Sequence, residues 1–184
     1  MAHSTDNYKS GGLIMQIALW DGVTPPELAD LVDIGNVITF SVEPKITKKP
    51  HTSHRGGKAK TDKKIVVKTE GLLKWSADEF SIENLRNYFQ GVISGTSIKP
   101  FESANEEYLI RITEYNVSGT ERVHEWSRVE MSAAAALEMI NHGEGEGDWA
   151  KMDFQGEILS NETPITFDTR LHGEFGLIYV KPTV

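Results

Sequence analysis

Two stretches of alternating apolar and polar residues flank a run of lysines, and this arrangement limits the fold more than any other feature. In Asn36–Glu43, Val37, Thr39, Ser41 and Glu43 oppose Ile38, Phe40 and Val42, the two-residue period of a half-buried strand. Strand character resumes over Lys64–Ser76, where Val66, Leu72 and Trp75 are apolar and Gly71 is expected to mark a bulge. Between them, Pro44, Pro50 and Gly56-Gly57 predict that regular structure is broken over most of Lys45–Lys64. Irregular connections longer than about 12–15 residues are uncommon in a compact domain and usually serve a function.

Charge is segregated along the same lines. Nine of the 19 Lys/Arg lie between Lys45 and Lys68 with a single acid, Asp62, so that segment carries +8 within a chain of net charge -8. A run of this kind can be a solvated loop, a nucleic-acid contact or a segment seeking an acidic surface. Nucleic acid is disfavoured because His51 and His54 are the only aromatic rings between Lys45 and Lys64, which leaves no stacking platform. The acidic remainder of other copies of the chain is the better match. A protein with complementary charge on two separate regions binds itself head to tail, giving rings or open stacks.

The 184 residues fit one domain, with 1–12 as a flexible polar arm and 45–64 as an extended loop. Leu13–Leu19 is expected to be a buried strand, and Asp21–Leu31 a loop with at most one helical turn. Ser81 caps a predicted helix with Ile82, Leu85, Tyr88 and Phe89 on one stripe and Gly91 as its stop. Tyr108–Val117 and Glu121–Met131 read as a hairpin. Ser132–His142, built on Ala133–Ala136, predicts a second helix, followed by a turn over Gly143–Asp148. In Lys151–Ile158, Met152, Phe154 and Ile158 share a face opposite Lys151, Asp153, Gln155 and Glu157, and Glu174–Lys181 is the last strand. The sum is an α+β, mostly β domain.

Chemistry is harder to place. The absence of cysteine removes disulfides, thiolate catalysis and cysteine-ligated metal sites. No nucleophile elbow, phosphate loop, dinucleotide fingerprint or zinc-protease motif occurs, so no catalytic, cofactor or metal residues are assigned and no enzyme is expected. His51 and His54 sit among cations that would repel a metal. His124, His142 and His172 show no partner in the sequence and are expected at the surface or the core edge. Trp20, Trp75, Trp126 and Trp149 are expected as core or interface anchors, and as contact surface in an assembling protein. With no apolar run able to span a bilayer and no secretory signal, the expectation is a soluble protein made in the cytoplasm.

The order of features resembles the tail tube proteins (major tail proteins) of long-tailed bacteriophages. The resemblance lies in Asp33-Ile-Gly-Asn36-Val-Ile-Thr-Phe40-Ser-Val-Glu43, the Lys-rich loop, Lys64-Ile-Val-Val67, Leu72-Leu-Lys-Trp75-Ser and Ser81-Ile-Glu-Asn-Leu-Arg-Asn-Tyr-Phe-Gln-Gly91. It covers residues 33–91, about a third of the chain. It implies a β-sandwich or barrel-like fold with a flanking helix and a long basic β-hairpin loop, assembled as hexameric rings that stack into a hollow tube in the virion tail, made in the host cytoplasm. Lys45, Lys48, Lys49, Arg55, Lys58, Lys60, Lys63 and Lys64 would then form the loop that reaches a neighbouring subunit. Glu114, Glu125, Glu130, Asp153 and Glu157 are candidates for an acidic lumen through which DNA slides without specific binding. Implied partners are other copies, a tape measure protein, and tail tip and tail terminator proteins, with no membrane and no cofactor. The alternatives are a tube subunit of a related contractile or secretion system, or a nucleic-acid-binding module using the basic loop.

Overall fold

A computed structural model describes residues 11–53, 60–103, 106–116, 120–137 and 150–181. The elements in order are β1 (Leu13–Trp20), a 3-10 turn (Leu28–Asp30), β2 (Val32–Asp33), β3 (Val37–Ser53), β4 (Lys60–Ala77) and α1 (Ile82–Phe89). They continue with β5 (Val92–Ser94), β6 (Ser97–Lys99), β7 (Glu107–Glu114), β8 (Arg122–Ala133), β9 (Met152–Ile158), β10 (Thr166–Phe167), β11 (Arg170–Leu171) and β12 (Leu177–Val180). The fold is α+β and mostly β. An eight-stranded antiparallel sheet runs β2-β1-β7-β8-β9-β4-β3, with β12 added to β8, and β5-β6 and β10-β11 form two small hairpins.

The sheet curls over itself in a sandwich-like way. Phe40 on β3 and Trp126 on β8 are separated in the sheet by β4 and β9, yet their ring centroids lie 6.1 Å apart. The enclosed face holds Met15, Ile17, Leu73, Ile110, Ile112, Val129, Met152 and Phe154, with Trp75 stacked on Phe154 at 5.2 Å. In β9 the expected alternation holds: Met152, Phe154 and Ile158 are buried, and Gly156 completes that face. A Cβ on Gly156 would come within 2.5 Å of Val129, so glycine is what lets β8 and Trp75 close against it.

α1 covers one mouth of this core through Leu85, Tyr88 and Phe89, Tyr88 meeting Phe154 edge-on at 5.5 Å. Its start is as expected, with Ser81 Oγ accepting from the Asn84 amide at 3.1 Å. The buried positions also include Asn84, whose amide side chain donates to the carbonyls of Ile34 and Glu79 at 2.8 and 2.9 Å and so ties the helix to the β2–β3 corner. The left-handed residue at the helix end is Gln90 (φ 45), not Gly91, and the Gln90 side chain donates to the Met131 carbonyl at 2.9 Å.

Four expectations need correction. The lysine-rich connection is not irregular: β3 and β4 form one hairpin whose ladder continues to Ser53↔Lys60. Pro44 and Pro50 sit within it, opposite Gly71 and Lys64, because β3 is an edge strand, where a missing N–H is tolerated. Gly71 marks no bulge; the register shifts fall at Val37/Thr39, Thr47/Lys48 and His51/Thr52, and Gly71 makes room for Ile158. The second helix does not begin at Ser132, since Ser132 and Ala133 pair with Gln155 and Phe154 of β9, and none of the described residues up to Leu137 is helical. Sheet pairing overrides the alanine-rich propensity there. The last strand is shorter than Glu174–Lys181, starting at Leu177 after Gly176 (φ 133) passes against the Glu125 carbonyl. The arm over 1–10, the turn over Gly143–Asp148, the rest of the expected second helix and Trp149 lie outside the described residues.

Candidate interaction surfaces

The β3–β4 hairpin leaves the body as a two-stranded ribbon. β9 pairs with β4 only from Gly71 to Ala77, so beyond Pro44 and Gly71 the ribbon has no third strand among the described residues. At about 3.4 Å per residue, Pro44–Ser53 projects roughly 30 Å. Every described side chain from Ser41 to Thr52 and from Thr61 to Thr69 is exposed. Lys45, Lys48, Lys49, Lys63 and Lys64 all stand on this ribbon, and Lys60 begins β4. Arg55, Lys58 and the Lys60 side chain lie outside the described residues.

At the ribbon's root, Lys68 and Glu70 pair at 2.5 Å; that contact lowers the Glu70 pKa and raises that of Lys68. Lys74 pairs with Glu43 at 3.0 Å. Further out, no ion pair holds Lys48, Lys49, Lys63 or Lys64 among the described residues. The ribbon is not purely polar. Val42, Ile46, Ile65, Val66 and Val67 are 42–55% exposed, and Val42 lies opposite the buried Leu73, so an apolar strip runs from the core out along the ribbon. An isolated two-stranded ribbon is marginal in water, and this one has apolar positions and open edges suited to a partner.

The five candidate lumen acids do not form one surface. Glu130 and Glu157 are register neighbours on β8 and β9, and Asp153 shares the Glu157 side of β9, where it accepts from Ser76 Oγ at 2.5 Å. Glu107 extends the row onto β7 opposite Glu130, its charge met by Arg128 through two contacts of 2.6 Å. Glu114 belongs to the other face of the sheet, 2.8 Å from His124 Nε2. Glu125 is 0% exposed and cannot line a lumen in this fold.

Glu125 instead anchors the C-terminal segment. Its Oε2 lies 3.0 Å from His172 Nε2, its Oε1 accepts from Tyr179 OH at 3.1 Å, and Ser127 Oγ is 2.8 Å from His172 Nδ1. Arg111 Nε approaches Oε1 at 3.4 Å. His172 is therefore a core residue at 1% exposure rather than a surface one, and burial, with Glu125 beside it, pushes the Tyr179 hydroxyl's pKa up. Ser, His and Glu in a chain suggest a hydrolase relay, but Ser127 is wholly buried, so its hydroxyl has no path to a substrate. The trio is a structural tie. Trp20, Trp75 and Trp126 are likewise core residues, 3–7% exposed, and not contact surface.

No protein-family model matches the chain, and no curated protein is significantly similar to it in sequence. No helix among the described residues is long and apolar enough to cross a membrane.

Proposed function

We propose that this chain is the structural subunit of a phage tail tube, assembling through its basic ribbon into stacked hexameric rings around a DNA-conducting lumen. The observation that carries the reading is the ribbon: two strands with open edges, unpaired lysines and a half-exposed apolar strip, on a chain that is otherwise acidic. Such an element gains stability by docking on another copy, and a heterologous contact propagates. The face bearing Glu130, Asp153 and Glu157 is the candidate lumen wall, since negative charge repels the DNA backbone and keeps it sliding. The tape measure, tail tip and tail terminator proteins are the further partners this reading brings.

Electron microscopy of the purified protein over a concentration series, beside the natural assembly that contains it, tests the proposal. Hollow filaments with six-fold rings are the expected result. Monomers at every concentration, together with no filament containing this chain in the native assembly, would overturn it.

A further inference from the structure

An open groove of about 440 Å³ lies between α1 and the β1–β2 corner. Ala18 and Ile34 form its floor, Leu19 and Val32 stand half exposed on its walls, and Asp30 and Glu83 occupy its rim. The cation at this site, Arg86, is already held by Glu106 through two contacts of 2.6 Å, so the uncompensated charge at the rim is negative. β2 pairs with β1 only at Gln16 and Ile17, which leaves the β1 edge at Ala18–Trp20 without a strand on that side among the described residues.

We propose that this groove receives the basic ribbon of a second copy of the chain. The inference rests on the head-to-tail reading above and names the acceptor surface that reading lacks. The match has three parts. The ribbon offers Ile46 and Val66, half exposed on one face, to the apolar walls. Lys48, on the Ile46 face of β3, meets Asp30 and Glu83. The outer edge of β3, which pairs with no strand among the described residues, supplies backbone donors and acceptors to the open β1 edge. A chain cannot fill its own groove this way. β3 begins three residues after Ile34 and runs outward as one 17-residue strand, which carries Ile46 to Lys49 roughly 30–40 Å along it from their own acceptor.

Because the chain has no cysteine, single thiols can be placed without background. Leu19→Cys in the groove and Ile46→Cys on the ribbon are both exposed substitutions. A size-tagged Leu19→Cys variant is mixed with Ile46→Cys at low salt and treated with a short bis-maleimide. The expected result is a mixed dimer at least tenfold more abundant than from Ile46→Cys with Val180→Cys, an exposed position on β12, and its loss in 1 M salt. Equal yields from the two pairings would overturn the inference. Hollow tubes of the unmodified protein without a groove–ribbon crosslink would overturn it while leaving the tube reading intact. A selective crosslink without tubes would support the groove and count against the tube.

Discussion

His172 Nε2 lies 3.0 Å from Glu125 Oε2, with neither side chain appreciably exposed to water. One residue is on β8 and the other 47 positions later in the C-terminal segment, so this pair decides whether that segment stays on the sheet. Removing one member of a buried hydrogen-bonded pair leaves the other's polar atom short of a partner, which costs about 1–3 kcal/mol. His172→Ala and Glu125→Ala are each expected to lower unfolding free energy in urea by about 1–3 kcal/mol. Glu125→Leu/His172→Leu should cost clearly less than the two alanine variants summed. Losses below about 1 kcal/mol in both single variants would remove the anchoring role.

Burial raises three tyrosine hydroxyls, Tyr88, Tyr108 and Tyr179, and the last two also donate to a glutamate. Burial, reinforced by Glu106 at Tyr108 and Glu125 at Tyr179, raises these two above the ordinary value of about 10. A raised folded-state pKa means the native protein holds the proton that the unfolded chain has released. This stabilisation is complete below pH 10 and is lost as pH rises beyond it. Stability measured by urea unfolding should fall from pH 9.5 to 11.5, and the fall should be shallower in Tyr108→Phe and Tyr179→Phe. An unchanged slope in both variants would contradict the assignment.

Gly156 has no room for a side chain in the core described above. Gly156→Ala would press a methyl group into Val129 Cγ1, 2.5 Å from the new carbon, with Trp75 behind it at 3.4 Å. Overpacking of this sort costs about 1–3 kcal/mol. The variant should unfold at lower urea, and Gly156→Ala/Val129→Ala should recover part of the loss. No recovery would mean that the contact with Val129 is not the source of strain.

The two-residue period of β9 and the cap of α1 could be read from the chain because each is a local property, carried by alternating side chains or a single serine. The long basic hairpin joining β3 to β4 could be read as well, but not the regular ladder that runs through it. Prolines and glycines signal breaks, and only the edge position of β3, a property of the whole sheet, explains why Pro44 and Pro50 are accommodated. The Ala133–Ala136 run failed for a related reason, since pairing of Ser132 and Ala133 with β9 outweighs local helix preference. Glu125 was indistinguishable from the other acids because its partners, His172 and Tyr179, are distant in sequence. A hint was available in its neighbours Val123 and Ser127, which share its strand face, but the covering segment is short and has weak periodicity.

On the tube reading, Glu130 and Glu157 face the lumen side by side, and reversing them should alter DNA passage rather than assembly. Glu130→Lys/Glu157→Lys is expected to form tubes of normal diameter. Those tubes should retain DNA at low salt and release it as salt is raised, because each new cation adds a phosphate contact. A loss of tubes, or tubes indifferent to DNA, would place these two acids elsewhere in the assembly.

The basic ribbon carries the sharpest test. Lys48, Lys49, Lys63 and Lys64 are exposed and make no ion pairs within the described chain, so replacing all four with glutamate removes no contact that holds the monomer together. Exposed substitutions of this kind usually shift stability by no more than about 0.5 kcal/mol apiece. The variant should therefore keep a cooperative urea transition near that of the parent while tube formation, followed by light scattering and microscopy, is abolished. Parent tubes should in turn form more slowly as ionic strength rises, because screening shortens the reach of the lysines to about 8 Å at 0.15 M salt. Adding Asp30→Lys and Glu83→Lys to the reversed ribbon restores opposite signs across the groove contact and should recover assembly in part. Normal tubes from the four-glutamate variant would show that the ribbon's charge does not drive assembly.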